Sequence, residues 1–328
     1  MSVLENTSWP PTCSAALLHR RAELYQTIRD FFAQRAVLEV DTPILSNAAS
    51  CDLNLDSFST QLTNDALNQR LLYLQTSPEF SMKRLIASGS GCIYQIAKSF
   101  RQAESGRFHN PEFTLLEWYR MGFSLADLMQ EMLELLSLCF NQNLASITLT
   151  YASLFKQQTG INPHETSLTQ LLAYAAEQGN PEAAQICGDS LANALDYVFS
   201  QYIQPRLKPE LLYFVTDYPA CMAMLAKLSE EQPITAKRFE VYFNNLELAN
   251  GYEELSDAKL QQQRFQQELA EREKYGASQV PMDENLVAAL QHGLPACAGV
   301  ALGLDRLLML MTGQNAIDQV LSFPVERA

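Results

Sequence analysis

The stretch KSFRQAESGRFHNPEFTLLEWYR, Lys98–Arg120, constrains the fold most. Strand-like apolar runs, roughly Ile93–Arg101 and Phe113–Tyr119, flank a short, densely charged segment. Asn110-Pro111 marks a turn between them, so the pattern predicts two antiparallel strands closed by a polar loop. A second pair follows the same logic. RFEVYF and LELANGY flank Asn244-Asn245, and asparagine tolerates the positive φ that a two-residue hairpin turn requires. Val37–Val40, Leu71–Thr76, Leu211–Pro219 and the start of GVALGLDRLLMLMTG read as further strands.

Helices fill the intervals. Ser14–Arg35 repeats Leu17, Leu24, Ile28 and Phe31 near helical spacing, with Ser14 as N-cap. Ser77-Pro78-Glu79 opens a helix through Ile86, with Ser77 as N-cap and Pro78 at the first helical position. Residues 124–138 and Ser256–Tyr275 follow, the latter ending at Gly276. Turn signals at Gly160, Asn162-Pro163 and Gly179-Asn180-Pro181 punctuate a helix-rich stretch at about 150–210. Strands joined by hairpins and long excursions predict an α+β fold, an antiparallel sheet flanked by helices. The expected organisation is one domain over 1–328, with the stretch at about 150–210 as an insertion.

Of the 328 residues, 47% are hydrophobic and 18% charged, a balance that folds throughout. Apolar runs break well before the roughly 18 residues of a membrane helix. MSVLENTSWPPTCS lacks the basic start and apolar run of a signal peptide. The seven cysteines are scattered without a CxxC pair, which predicts reduced thiols, no zinc site and a cytoplasmic location. A net charge of −14, from 23 basic and 37 acidic residues, disfavours an extensive nucleic-acid surface and makes tRNA an unexpected partner. GxGxxG, Walker A, HExxH and GxSxG patterns are absent.

Four short segments carry side chains suited to chemistry. In the charged loop, the forks of Arg101 and Arg107 suit phosphate oxygens. Phe113 offers a face for a purine, and Glu104, His109 and Asn110 suit a base or a phosphate; the bland reading is a polar hairpin. In NLELANGYEEL, Glu247 and Glu254 suit magnesium with substrate phosphates, or an amine, against a solvated acidic turn. In GVALGLDRLLML, Gly299 and Gly303 allow close backbone approach. Arg306 opposes the helix dipole there, which a phosphate partner would explain. Leu304, Leu307, Leu308 and Met311 are core. In TSPEF, Glu79 is either a first-turn acid or a pocket carboxylate for an amine.

Taken in order, these segments resemble the class II aminoacyl-tRNA synthetase catalytic domain over nearly the whole chain. VLEVDTPIL resembles its first motif, which lies at a dimer interface. Phe100-Arg101 through Phe113 resembles the second motif and GVALGLDRL the third. TSPE, HNPEFT and ELANGYEEL narrow the resemblance to lysyl-tRNA synthetases. Those enzymes carry an N-terminal anticodon-binding domain, for which a first-motif helix starting near Ser14 leaves no expected room. The chain therefore resembles the stand-alone elongation factor P–(R)-beta-lysine ligase family.

That resemblance implies activation of (R)-beta-lysine as an adenylate with ATP and magnesium. It further implies transfer to a lysine side chain of elongation factor P, by a homodimer. Carried over, Arg101, Gln102, Ala103, Asn110, Glu247, Leu248 and Gly303 contact ATP, Phe113 stacks on adenine and Arg306 faces the γ-phosphate. Arg101, Glu247 and Arg306 are then the catalytic set, with Glu247 as the magnesium ligand. Ser77, Pro78, Glu79, Tyr119 and Glu254 line the amino-acid pocket. The chain departs from the Phe-Arg-x-Glu pattern with Ala103 then Glu104, which shifts the adenine contact to Glu104 or backbone. Ala301 stands where lysyl-tRNA synthetases usually have glycine, a methyl that reshapes the pocket for a beta-amine. The competing readings are a truncated lysyl-tRNA synthetase, a small-molecule amide synthetase resembling asparagine synthetase A, and a non-catalytic regulator. The last predicts erosion of Arg101, Glu247, Glu254 or Arg306, yet all four are present.

Overall fold

The computed structural model describes residues 9–65, 68–102 and 104–328. Its strands are β1 (Leu38–Glu39), β2 (Leu45–Ser46), β3 (Ser59–Asp65), β4 (Asn68–Leu74), β5 (Ile93–Phe100), β6 (Glu112–Met121), β7 (Ser146–Thr150), β8 (Leu212–Pro219), β9 (Thr235–Phe243), β10 (Leu246–Glu253) and β11 (Cys297–Gly303). The chain divides into two compact units. The first holds Met1–Gly122, Leu138–Asn141 and Ser256–Ala328, and the second Phe123–Ser137 and Gln142–Leu255. The helix-rich stretch at about 150–210 lies wholly within the second.

In the first unit the strands run in the order β1-β5-β6-β11. The two pairs made by β6 are antiparallel, and Tyr119 lies opposite both Ile93 and Gly299. β1 is parallel to β5, with Leu38 opposite Ile93, so the sheet is mixed rather than wholly antiparallel. The long excursion through β2–β4 supplies the crossover that a parallel neighbour needs. Residues directly opposite one another share a face. One face carries Tyr94, Leu116, Trp118, Val300 and Leu302, all buried. The Ala15–Ala33 helix covers it. Ser14 caps that helix by accepting from Leu17 N at 3.3 Å, and Leu24, Ile28, Phe31 and Phe32 face inward. The Phe32 ring sits 4.4 Å from Tyr94 and 5.4 Å from Trp118. Burying each such aromatic side chain contributes about 2–3 kcal/mol.

β2, β4 and β3 form a separate antiparallel sheet. β3 is absent from the sequence expectations because STQLTND shows no apolar alternation. The Glu79–Ala87 helix begins as expected, but its N-cap position falls on Pro78 and not on Ser77. Ser77 Oγ instead accepts from Glu79 N at 3.4 Å, a local turn that a hydroxyl before proline makes readily. The Ala258–Lys274 helix is capped by Asp257, whose carboxylate accepts from Lys259 N and Leu260 N.

In the second unit the order is β10-β9-β8-β7, antiparallel except for the β7–β8 pair. Asn244 and Asn245 adopt φ of 49° and 59°, the mirror-image turn expected between β9 and β10. Helices Tyr151–Thr159, Leu168–Glu177 and Leu191–Val198 are capped by Thr150, Ser167 and Ser190. They enclose a ring cluster in which Tyr151 lies 5.1 Å from Phe199 and 4.8 Å from Tyr218. No described helix is long and apolar enough to cross a membrane.

Candidate active site

The second face of the first sheet is built differently from the first. Register places Ser99, Ala97 and Gln95 of β5 beside Phe113, Leu115 and Glu117 of β6. On the far side of β6, Gly303, Ala301 and Gly299 lie opposite Leu115, Glu117 and Tyr119. β11 thus contributes almost no side-chain volume, while β6 contributes an aromatic ring and a carboxylate. Glu117 is buried, and Tyr119 Oη donates to its Oε1 at 2.7 Å. Burial of a carboxylate on an otherwise small or apolar floor is costly unless a donor meets it. Glu117 was not among the expected site residues. Its place within the apolar run TLLEWY hides it, although strand alternation puts it on the face of Phe113 and Tyr119.

The charged loop closes over the end of this sheet. Arg101 follows β5, and its backbone N donates to Pro111 O at 2.9 Å. Its guanidinium lies 5.0 Å from the centre of the Phe113 ring and donates to Glu104 Oε1 at 2.9 Å. Arg101 Nε is buried and meets no acceptor among the described residues. An orphaned, buried donor on a permanently charged group fits an anionic ligand better than a purely structural role. Gln102 N donates to Asp56 O at 2.8 Å while its side chain is exposed. Ala103 lies outside the described residues. Asn110 is buried and spent on the chain itself: Nδ2 donates to Glu112 O at 2.6 Å, and Oδ1 accepts from Val325 N at 3.1 Å. Arg107 likewise donates to Asn315 O at 2.7 Å.

Arg306 stands in the first turn of the Leu304–Met311 helix, for which Gly303 is the N-cap. Its Nε donates to Phe108 O at 3.3 Å, and Nη2 donates to His109 Nε2 at 2.6 Å. Burial, aided by the Arg306 charge, holds His109 below the usual imidazole range, so the ring is a neutral acceptor. The neighbouring Asp305, unremarked in the sequence, is buried. It pairs with Arg21 at 2.7 Å and accepts from Thr114 N at 2.7 Å, fixing the helix start to β6. Of the expected apolar stripe, Leu304, Leu307 and Leu308 are buried, with Met309 rather than Met311 as the fourth member. Glu79 is held by Lys83, whose buried Nζ lies 2.6 Å from Glu79 Oε1.

In the second unit, the hairpin brings Glu247 and Glu254 into one arrangement by an irregularity. Residues seven apart in a regular strand point to opposite faces. The register slips between Glu247, opposite Tyr242, and Ala249, opposite Val241, so Leu248 is a bulge. From there Asn250 and Tyr252 pair with Glu240 and Arg238 on the face that Glu247 and Tyr242 share. Glu254 continues the alternation, bridging to Ala226, and is buried. Leu248 is itself buried, which leaves only its backbone for a ligand. Among the described residues no group of three or more His, Cys, Asp or Glu could hold a metal alone. Glu247 therefore suits magnesium only as magnesium is usually held, by one or two carboxylates with substrate phosphates.

A mixed sheet with one aromatic-packed face and one face of small residues around a buried carboxylate, flanked by an arginine-bearing loop and a glycine-led helix start, suits a synthetase that handles charged substrates. The family model for class II tRNA synthetases (D, K and N) matches residues 12–327, and the chain belongs to that family. A relative from Vibrio vulnificus, named elongation factor P–(R)-beta-lysine ligase, is 48% identical over 96% of this chain and 98% of its own length. Relatives of the same name from Vibrio cholerae and Pseudoalteromonas translucida are each 46% identical. They cover 99% and 98% of this chain and 100% and 98% of their own.

Proposed function

We propose that the protein is an ATP-dependent ligase that activates (R)-beta-lysine and joins it to a lysine side chain of elongation factor P. The observation that carries this reading is the Glu117–Tyr119 pair beside Gly299, Ala301 and Gly303. A buried carboxylate beside small residues is a seat for the cationic end of an amino acid. The names of relatives matched over nearly their full length supply the acceptor and the beta-amino acid. The acidic balance supports a protein acceptor over tRNA.

The residues divide the work as follows. Phe113 stacks on adenine, with Glu104, Gln102 and the backbone near Ala103 beside it. Asn110 shapes the loop, and Gly303 lets the nucleotide approach. Arg101 and Arg306 hold phosphate oxygens, Arg306 exchanging Phe108 O and His109 for the γ-phosphate. Leu248 offers backbone to ATP. Ser77, Pro78, Glu79, Tyr119, Glu254 and Ala301 line the amino-acid pocket. Magnesium, with Glu247 as its protein ligand, would supply charge neutralisation on the phosphates. The amino-acid carboxylate attacks the α-phosphorus, the bond to the bridging oxygen breaks, and pyrophosphate leaves. Arg101 and Arg306 stabilise the charge that builds on the oxygens. The acceptor amine then attacks the carbonyl carbon of the mixed anhydride, AMP departs, and the amine gives up a proton as the amide forms. Positioning rather than covalent catalysis supplies the rate.

The first-motif region supports a homodimer, because Leu38, Ile44 and Leu45 are exposed at 56%, 40% and 47%. Sedimentation at micromolar concentration checks this, and a monomer refutes it. Free cysteines and the lack of a membrane-length helix among the described residues support a cytoplasmic location. The activity is tested by the intact mass of elongation factor P after incubation with the protein, ATP, magnesium and (R)-beta-lysine. A parallel reaction offers tRNA and alpha-lysine. A gain of one lysyl unit on the protein, with tRNA uncharged, is expected. Charged tRNA with unmodified protein would instead indicate a compact synthetase, and no product in either tube a non-catalytic binder.

A further inference from the structure

On the hairpin face that carries Glu247 and Glu254 lies a buried charge, Arg238. It is 8% exposed, and its counter-ion Glu240 is 7% exposed. The Arg238 fork divides three ways. Nη2 donates to Glu240 Oε1, Nη1 donates to Met222 O at 3.0 Å, and Nε donates to Asn250 Oδ1 at 3.2 Å. The guanidinium also lies 4.5 Å from the Tyr218 ring centre and 5.9 Å from that of Tyr252. Glu240 is satisfied in turn by the hydroxyls of Tyr218, at 2.5 Å, and Tyr242.

The consequence falls on Asn250. Its two amide atoms are chemically distinct but nearly equal in size, so the packing alone does not choose between them. Arg238 Nε only donates, so Oδ1 must face inward. Nδ2 is thereby turned to Tyr252 Oη, to which it donates at 2.9 Å. Asn250 and Tyr252 are half-buried, on the same face as Glu247 and in register with Glu240 and Arg238. The charge of Arg238 is itself secured. Burial alone would lower its pKa, but Glu240, then Tyr252, Tyr218 and Glu247, raise it above its ordinary value. A plain ion pair under a sheet could be replaced by apolar residues without loss of stability. This pair does something an apolar pair cannot, which is to dictate the direction of a half-buried side-chain amide on the same face.

We propose that Arg238 is a positioning residue for the amino-acid site, fixing the amide of Asn250 and the hydroxyl of Tyr252 between Glu247 and Glu254, with Glu240 as its counter-ion. The proposal rests on the reading that this hairpin face takes the amino acid. It places Asn250 and Tyr252 against the substrate and keeps Arg238 out of contact with it.

The test uses the whole protein and (R)-beta-lysine as the varied substrate, with ATP varied separately. Arg238→Lys keeps the charge but loses the fork that reaches Asn250. Arg238→Met combined with Glu240→Gln removes both buried charges together, so that neither is left unpaired. Each is expected to raise KM for the amino acid roughly tenfold while KM for ATP stays within about twofold. An unchanged amino-acid KM in a variant of native melting temperature would overturn the proposal. So would a parallel rise in both KM values, the signature of general distortion. Should both variants unfold, Tyr252→Phe takes over the test, since it deletes the hydroxyl that accepts from Asn250 and donates to Met224 Sδ while keeping the ring. A rise confined to the amino-acid KM supports the proposal, and no change sinks it. Glu254→Gln separates the two layers of the argument. If it leaves amino-acid KM unchanged, the reading of the face fails; if it raises KM while the Arg238 variants do not, only the positioning role fails.

Discussion

Single residues decide what this sheet can hold. Arg101, Phe113 and Arg306 were legible as candidates because their residue types are unusual where they stand: a fork at a strand end, a ring beside a charged loop, a cation in a first helical turn. Glu117 and Asp305 were not, because each sits in an apolar run whose pattern already reads as core. Their roles appear only when register and burial put Glu117 opposite Ala301 and Asp305 against Arg21. Asn110 was legible only by type, and the fold adds that its amide ties the loop to the chain's own backbone, with one N–H and one lone pair left over. Glu117 yields a direct prediction. Glu117→Gln keeps the shape and a partner for Tyr119 but removes the negative charge. KM for (R)-beta-lysine should rise at least tenfold, with KM for ATP little altered, since charge-assisted pairing is the stronger kind. Steady-state kinetics with each substrate varied in turn checks this.

Elements transmit these residues to the site by counting. The hairpin from Thr235 to Glu253 was predictable from its alternation and from Asn244-Asn245. Its most consequential feature was not. A bulge at Leu248 leaves no compositional mark, yet it alone reconciles a spacing of seven with a shared face. The strand β7 and the parallel pairing of β1, itself expected within Val37–Val40, escaped for a related reason, as two- and five-residue strands gain their identity from the neighbour they join. Deleting Leu248 should restore regular pairing and keep Glu247 on the face of Asn250, while removing the bulged backbone proposed to meet ATP. The expected result is a folded protein, by circular dichroism and melting temperature, with kcat/KM reduced at least a hundredfold. Full activity after the deletion would show that the bulge is incidental.

The stability of the whole molecule carries a pH signature from a group with no role in the proposed chemistry. Glu268, on the Ala258–Lys274 helix, is raised to about 8, first by burial and then by the nearby charges of Asp52 and Glu271, against Arg264. A carboxyl whose folded pKa lies above its unfolded value favours the fold in its protonated form. That contribution is complete below the ordinary carboxylate range and is lost as pH rises from about 4.5 through about 8. Glu268→Gln, neutral at every pH, should therefore melt at a higher temperature than the native protein at pH 9. The difference should shrink towards pH 5. A constant difference across that range would remove the explanation. At this scale the fold class was readable from the alternation of hairpins and excursions. The division into two compact units was not, because it depends on contacts that no local pattern records.

The column Gly299, Ala301 and Gly303 has a further consequence, for how such a protein changes its diet. Its floor is measured by absent side chains, so the ruler is graduated in methyl groups. In the proposed pocket, adding or removing one at position 301, opposite Glu117, would reset the depth available to the amino acid without disturbing a single ladder hydrogen bond. One methylene is worth about 1–3 kcal/mol of discrimination. A lineage can therefore move between neighbouring amino acids, differing by where an amine sits on a short carbon chain, by single substitutions that leave the scaffold intact.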